Sequence, residues 1–265
     1  MKSRGLLAAL AYVGLIASSH AAPPLMSKTV HREALTTARL PYIRGGAIET
    51  SAAKKAELVG YFGAWYVANI GYNIVNKKVL NKLPLPWSVA TTQLMVGGVW
   101  AVLLWALRLR TAPSLTGSEL KDLVPLALFH GGGQLATVTS LGAGAVSFTH
   151  IVKAMEPMFS AAVACVCFGQ VFKPQVYATL LPIVGGVSLA CYTELDFSVV
   201  SFCAAMASNL FFACRANFSK MLLSKPRATK LSAANLYAAI TIASFTIFSP
   251  LALLWEASGI KGALI

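Results

Sequence analysis

The chain has 265 residues, of which 57% are hydrophobic and only 12% charged. A soluble domain is about 25% charged, so this composition excludes a water-soluble globule and, with so much apolar content, a disordered chain. The formal net charge is +13, but beyond the first 50 residues most of the cations sit at the ends of apolar runs and none form a stripe interleaved with aromatics, so nucleic acid is not an expected partner.

Met1 to Arg4 is a basic start, Leu6 to Ala17 a short apolar core, and Ser18 to Ala22 a set of small residues. That three-part pattern predicts a signal peptide over 1–22, with a core too short for a comfortable span. Residues 23–57 are rich in Ala, Ser, Thr and cations, with Lys28, Arg32, Arg39, Arg44, Lys54 and Lys55 against Glu33, Glu49 and Glu57. The segment reads as a transit-peptide-like basic linker. Together the two resemble the bipartite presequence of a plastid acquired from a eukaryotic alga; the alternative is a signal peptide followed by a disordered linker.

Apolar segments of about 20 residues then recur. They fall at 58–80, 86–108, 122–142, 144–168, 172–192, 197–222 and 233–255, punctuated by Pro84 and Pro86, Pro113 to Gly117, Pro174, Glu194 to Asp196, and Pro226. Strand-length alternation is absent, which favours helices over a β-barrel. The expected fold is an all-α membrane protein, a polytopic helical bundle with about seven transmembrane helices. Lys54, Lys55, Arg108, Arg110, Lys121, Lys173, Lys220, Lys225, Arg227 and Lys230 collect on the side where the first span starts. The positive-inside rule puts that side in the cytosol-like compartment.

Gly97-Gly98, Gly131-Gly132-Gly133, Gly142-x-Gly144 and Gly185-Gly186 predict close helix contacts within lipid. The five cysteines (Cys165, Cys167, Cys191, Cys203 and Cys214) form no C-x-x-C pair and stand beside no histidine cluster. They are expected to be small buried hydrophobes, and no metal site is expected.

Lys153 is the most informative residue. It lies mid-segment in Ser147-Phe-Thr-His-Ile-Val-Lys-Ala-Met-Glu-Pro157, at a depth where a charge costs a few kcal/mol and marks function by default. Helical spacing puts His150, Lys153, Glu156 and Pro157 broadly on one face, and Pro157 loosens the backbone there. Either Lys153 pairs with Glu156 as fixed glue, or it faces a cavity that receives an anion. Arg215 is a second buried cation, suited to carboxylate or phosphate or to bracing a helix end. Tyr66, Asn69, Tyr72, Asn73 and Asn76 make a polar stripe on the first span, for a water-filled pathway or for bonding neighbouring helices.

The run Ala145 to Pro157 is similar to the signature segment of the plastid triose-phosphate/phosphate translocator family, within the drug/metabolite transporter superfamily. The likeness extends through Asn73 to Lys78, Leu85 to Trp87, Ser208-Asn209, Arg215 and Asn235 to Ala238. The resemblance implies a ten-helix fold of two inverted five-helix halves, with substrate held between them near the midplane. It implies no enzyme activity and no cofactor. It assigns substrate binding to Lys153 as a phosphate ligand, Arg215 as a nearby arginine and Thr137 as a pocket hydroxyl. Gln134 stands where triose-phosphate members place histidine, and His150 lies within the signature segment beside Lys153 as a further candidate for substrate binding. The family's later tyrosine and Lys-Arg pair have no counterpart before Ile265, so the membrane domain over 58–265 is expected to be incomplete at its C-terminus.

The function implied is antiport of a phosphorylated three-carbon or related metabolite, such as triose phosphate, 3-phosphoglycerate or phosphoenolpyruvate, for inorganic phosphate. The implied partners are those phosphates and the lipid bilayer, and the place a plastid envelope, of a complex plastid if the bipartite reading holds. The competing expectation is a nucleotide-sugar or other organic-phosphate exchanger of the endoplasmic reticulum or Golgi. No Ser/His/Asp or Cys/His set converges, which ranks an intramembrane enzyme last.

Overall fold

The computed structural model describes residues 52–224, 232–257 and 259. The predicted signal peptide and most of the predicted linker lie outside the described residues, as do Lys225, Arg227 and Lys230. Among the described residues eight helices follow one another: α1 (Ala52–Lys82), α2 (Pro86–Ala106), α3 (Gly117–Ala143), α4 (Val146–Lys153), α5 (Glu156–Phe168), α6 (Pro174–Thr193), α7 (Val199–Ser224) and α8 (Ala233–Trp255). No strand occurs among the described residues. The chain is an all-α membrane protein, with helices at each of the seven expected positions.

Five of those positions hold helices long and apolar enough to cross a bilayer: α2, α4 with α5, α6, α7 and α8. The exceptions, α1 and α3, are the longest helices, at 31 and 27 residues. They fall short because they are more polar. Asn69, Asn73 and Asn76 interrupt α1, and His130 and Gln134 interrupt α3.

Local chemistry accounts for the helix ends. Glu119 accepts from the Thr116 amide (2.7 Å) and hydroxyl (2.8 Å) at the start of α3. Pro86 opens α2, where a missing N–H costs nothing. The Glu256 carboxylate, beyond α8, accepts from the Trp87 and Ser88 amides at 2.9 and 2.8 Å. An acid at a helix N-terminus suits the macrodipole. At the opposite polarity, the Lys77 ammonium of α1 donates to the carbonyls of Leu141 and Gly144, both at 2.8 Å, at the C-terminus of α3. Gly169 closes α5 in the left-handed region, with φ of 63°.

The expected span over 144–168 is two helices. Pro157 has no N–H for the Lys153 carbonyl, so the ladder stops at Lys153 and restarts at Glu156. The Met155 amide instead donates to Val152 O at 3.1 Å, a tighter turn. Asn209 of α7, fully buried, donates its amide to the same carbonyl at 2.9 Å.

Helix α3 is central and packs most extensively on α7, then on α8 and α2. Its three successive glycines each receive a phenylalanine: Phe248 of α8 at Gly131, and Phe211 and Phe212 of α7 at Gly132 and Gly133. A Cβ on Gly133 would come within 2.9 Å of the Phe212 ring. Gly98 approaches Ile242, and Gly144 meets Ser201. Gly185 and Gly186 contradict the contact expectation, since a Cβ on either meets no atom within 4 Å. Helix α6 packs chiefly on short α4, so most of its glycine face has no protein neighbour. The cysteine expectation fails similarly. Cys165, Cys167 and Cys203 are exposed and Cys191 and Cys214 half-buried, because in a bilayer an apolar side chain gains nothing extra from burial in protein.

Candidate functional site

One face of each of several helices converges on a cavity of about 190 Å³. Helix α1 supplies Asn69, Tyr72 and Asn73; α3 supplies His130, Gln134 and Thr137; α4 supplies His150 and Lys153. Phe212 and Arg215 of α7, Tyr237 of α8 and Glu156 at the start of α5 complete the wall. The spacings, i, i+3 or i+4, and i+7, are those of a single helix face. All five residues singled out from the sequence, Lys153, Thr137, Gln134, Arg215 and His150, line this one cavity.

Lys153 ends α4, and the helix break leaves it at the turn. Its ammonium donates to Ser208 Oγ at 2.8 Å and to Thr137 Oγ1 at 3.4 Å, and lies 4.7 Å from the centre of the Phe212 ring. No ion pair joins it to Glu156, although both line the cavity. The fixed-glue alternative is therefore not what the geometry holds: the lysine is compensated by hydroxyl dipoles and an aromatic face.

Arg215 stacks its guanidinium over the same ring at 5.3 Å and over Tyr237 at 5.7 Å. Its Nε is buried without a hydrogen-bond acceptor. A buried donor left unmatched carries a cost on the order of 1–3 kcal/mol, more when charged, and an arriving anion relieves it. Two cations sharing one phenylalanine, with no carboxylate among the described residues bound to either, make a pocket that favours an anion.

Gln134 belongs to a network behind the cavity. Its amide donates to Gln93 Oε1 at 2.7 Å and to Tyr72 Oη at 3.4 Å; Tyr72 donates to the same Gln93 oxygen at 2.7 Å, and Gln93 donates to Asn76 at 3.0 Å. The polar stripe of α1 thus divides. Asn69, Tyr72 and Asn73 line the cavity, Asn76 bonds α2, and Tyr66 is 61% exposed and takes no part. Asn73 donates to Asn69 Oδ1 at 2.9 Å, holding the stripe together along the helix.

Four contributors escaped sequence reasoning as site residues, among them His130, a buried histidine on the α3 face that carries Gln134 and Thr137. Phe212 and Tyr237 carry no signal in an aromatic-rich membrane chain beyond the nearness of Phe212 to Arg215. Gln93 is a buried amide in an apolar span, and that anomaly is the one mark that could have found it.

Known proteins resemble this chain along most of its length. The model of the Triose-phosphate Transporter family matches residues 56–264. The chain is 42% identical over 209 residues to phosphoenolpyruvate/phosphate translocator 1, chloroplastic, of Oryza sativa subsp. japonica, covering 79% of this chain and 50% of that protein. It is 38% identical over 239 residues to the triose phosphate/phosphate translocator, non-green plastid, of Brassica oleracea var. botrytis, covering 90% and 59%. Against glucose-6-phosphate/phosphate translocator 1, chloroplastic, of Arabidopsis thaliana the identity is 35% over 250 residues, covering 87% and 64%. The chain spans between half and under two thirds of the length of these curated relatives. With the family match extending over most of its residues, the chain belongs to the Triose-phosphate Transporter family.

Proposed function

We propose that this protein exchanges a phosphorylated three-carbon or related metabolite for inorganic phosphate across a plastid envelope membrane, by alternating access. One observation carries the reading. Lys153 and Arg215 face a single cavity inside the helix bundle, flank one phenylalanine ring, and are neutralised by no ion pair among the described residues. The relatives are translocators named for phosphoenolpyruvate, triose phosphate or glucose 6-phosphate together with phosphate, and the group common to all of these compounds is phosphate.

In this reading Lys153 and Arg215 grip the phosphate group, and Gln134 and His150 face the carbon skeleton. Thr137 contributes from the wall, because its hydroxyl hydrogen is given to Gly133 O at 2.8 Å. Occupation by a dianion neutralises the cations and lets the helices close around it. An empty cavity leaves them unneutralised in a low-dielectric setting, which opposes return without a counter-substrate and makes the exchange obligatory.

Reconstitution in liposomes tests this. Labelled phosphate should enter only when phosphate or a phosphorylated metabolite is inside. Uptake without a counter-anion removes the antiport reading, and exchange of a nucleoside monophosphate in its place supports a nucleotide-sugar exchanger. Residues 1–22 and 23–57 act in this proposal as signal peptide and transit segment. Fused to a fluorescent protein in an alga with a complex plastid, 1–57 should deliver it there; retention in the endoplasmic reticulum overturns the assignment.

A further inference from the structure

Lysine is a compact charge on a flexible four-carbon stem, so its ammonium is only as well placed as its supports. Lys153 has a support whose direction can be worked out. Each hydroxyl has one hydrogen to give. The hydrogen of Thr137 goes to Gly133 O at 2.8 Å. The 2.7 Å bond between Thr137 and Ser208 must therefore be donated by Ser208, whose oxygen is left to accept from Lys153 at 2.8 Å. The result is a one-way chain from the Lys153 ammonium through Ser208 and Thr137 to the Gly133 carbonyl. Every member is satisfied, and each bond polarises the next.

Ser208 is fully buried and does not line the cavity. It holds the ammonium from behind and, with Thr137 taking a second hydrogen at 3.4 Å, leaves the third for the cavity side. We infer that Ser208 is the positioning residue of the site: it aims Lys153 at the anion without touching the anion itself. The inference rests on the phosphate-binding reading of Lys153. Its neighbour Asn209 offers a built-in contrast, because its amide holds the Val152 backbone carbonyl and not the lysine tip. Asn209 supports the helix break; Ser208 supports the charge.

The test is equilibrium dialysis of radiolabelled inorganic phosphate against the purified protein, with melting temperature measured in parallel. Ser208→Ala should raise the phosphate dissociation constant on the order of tenfold, the scale of one charge-assisted contact, with little change in melting temperature. Ser208→Thr, which restores a hydroxyl at the same carbon, should recover most of the affinity. Asn209→Ala should lower the melting temperature. Unchanged affinity in Ser208→Ala overturns the inference, and so does a parallel fall of affinity and melting temperature in Ser208→Ala. A wild-type protein that binds no phosphate instead removes the reading of Lys153, and leaves Ser208 no ligand to aim for.

Discussion

Helices α3 and α6 both carry consecutive glycines inside an apolar run, yet the two runs do opposite things. At Gly131-Gly132-Gly133 each missing side chain is filled by a phenylalanine from α7 or α8. At Gly185-Gly186 the space stays open, on a helix with few neighbours. A small residue permits close approach without causing it. Whether the permission is used depends on which helix stands opposite. In α3 the consequence reaches the site, since Gly133 both makes room for Phe212 and accepts from Thr137 at the end of the chain that holds Lys153.

That contrast between a functional centre and a peripheral helix can be broken in three ways. The largest effect belongs to Lys153→Ala, which should abolish phosphate exchange in liposomes while leaving membrane insertion and folding intact. Deleting a charge at membrane depth relieves a cost of a few kcal/mol even as it removes the anion's principal contact. Near wild-type exchange by this variant would remove the site from the centre of the fold.

Gly131→Ala comes next. Its added carbon meets the Cδ2–Cε2 side of the rigid Phe248 ring, not the tip of a flexible chain. Such overpacking should lower stability by about 1–3 kcal/mol, read as an earlier melting transition in detergent. A neutral result would mean that α8 slides away from α3 freely.

Gly186→Ala should do the reverse on a smaller scale. With no atom within 4 Å of the new carbon and an ordinary helical backbone, alanine should gain up to about 1 kcal/mol of helix propensity. Destabilisation here would reveal a contact on the α6 face, and that contact would merge the two classes of glycine.

The helix positions were legible because the bilayer demands about 20 apolar residues per crossing and satisfied backbone everywhere. The expected segment over 86–108 became Pro86–Ala106, and that over 233–255 became Ala233–Trp255. Where the reading departed, the cause was local or long-range. Pro157 divided one expected span, a break signalled in the sequence but not placed by it. Gly185 and Gly186 needed a neighbour, and no pattern within one helix reveals its neighbours.

The site divides along the same line. Lys153 and Arg215 announced themselves because ionisable groups are expensive in hydrocarbon and stand out against an apolar background; His150 followed as a neighbour on the same helix face, and Gln134 and Thr137 were reached only through the family resemblance. The sequence by itself therefore determined that the chain lives in a membrane, where its helices run, and which charges require an explanation. Only tertiary structure decided what those charges rest on. Lys153 could have paired with Glu156, three residues away, but donates instead to Ser208, 55 positions along the chain. The helix break re-aims its stem, and packing of α7 against glycine-lined α3 brings a hydroxyl and an aromatic ring within reach. Partners so distant in sequence are chosen by how helices pack, and spacing along one helix carries no record of that choice.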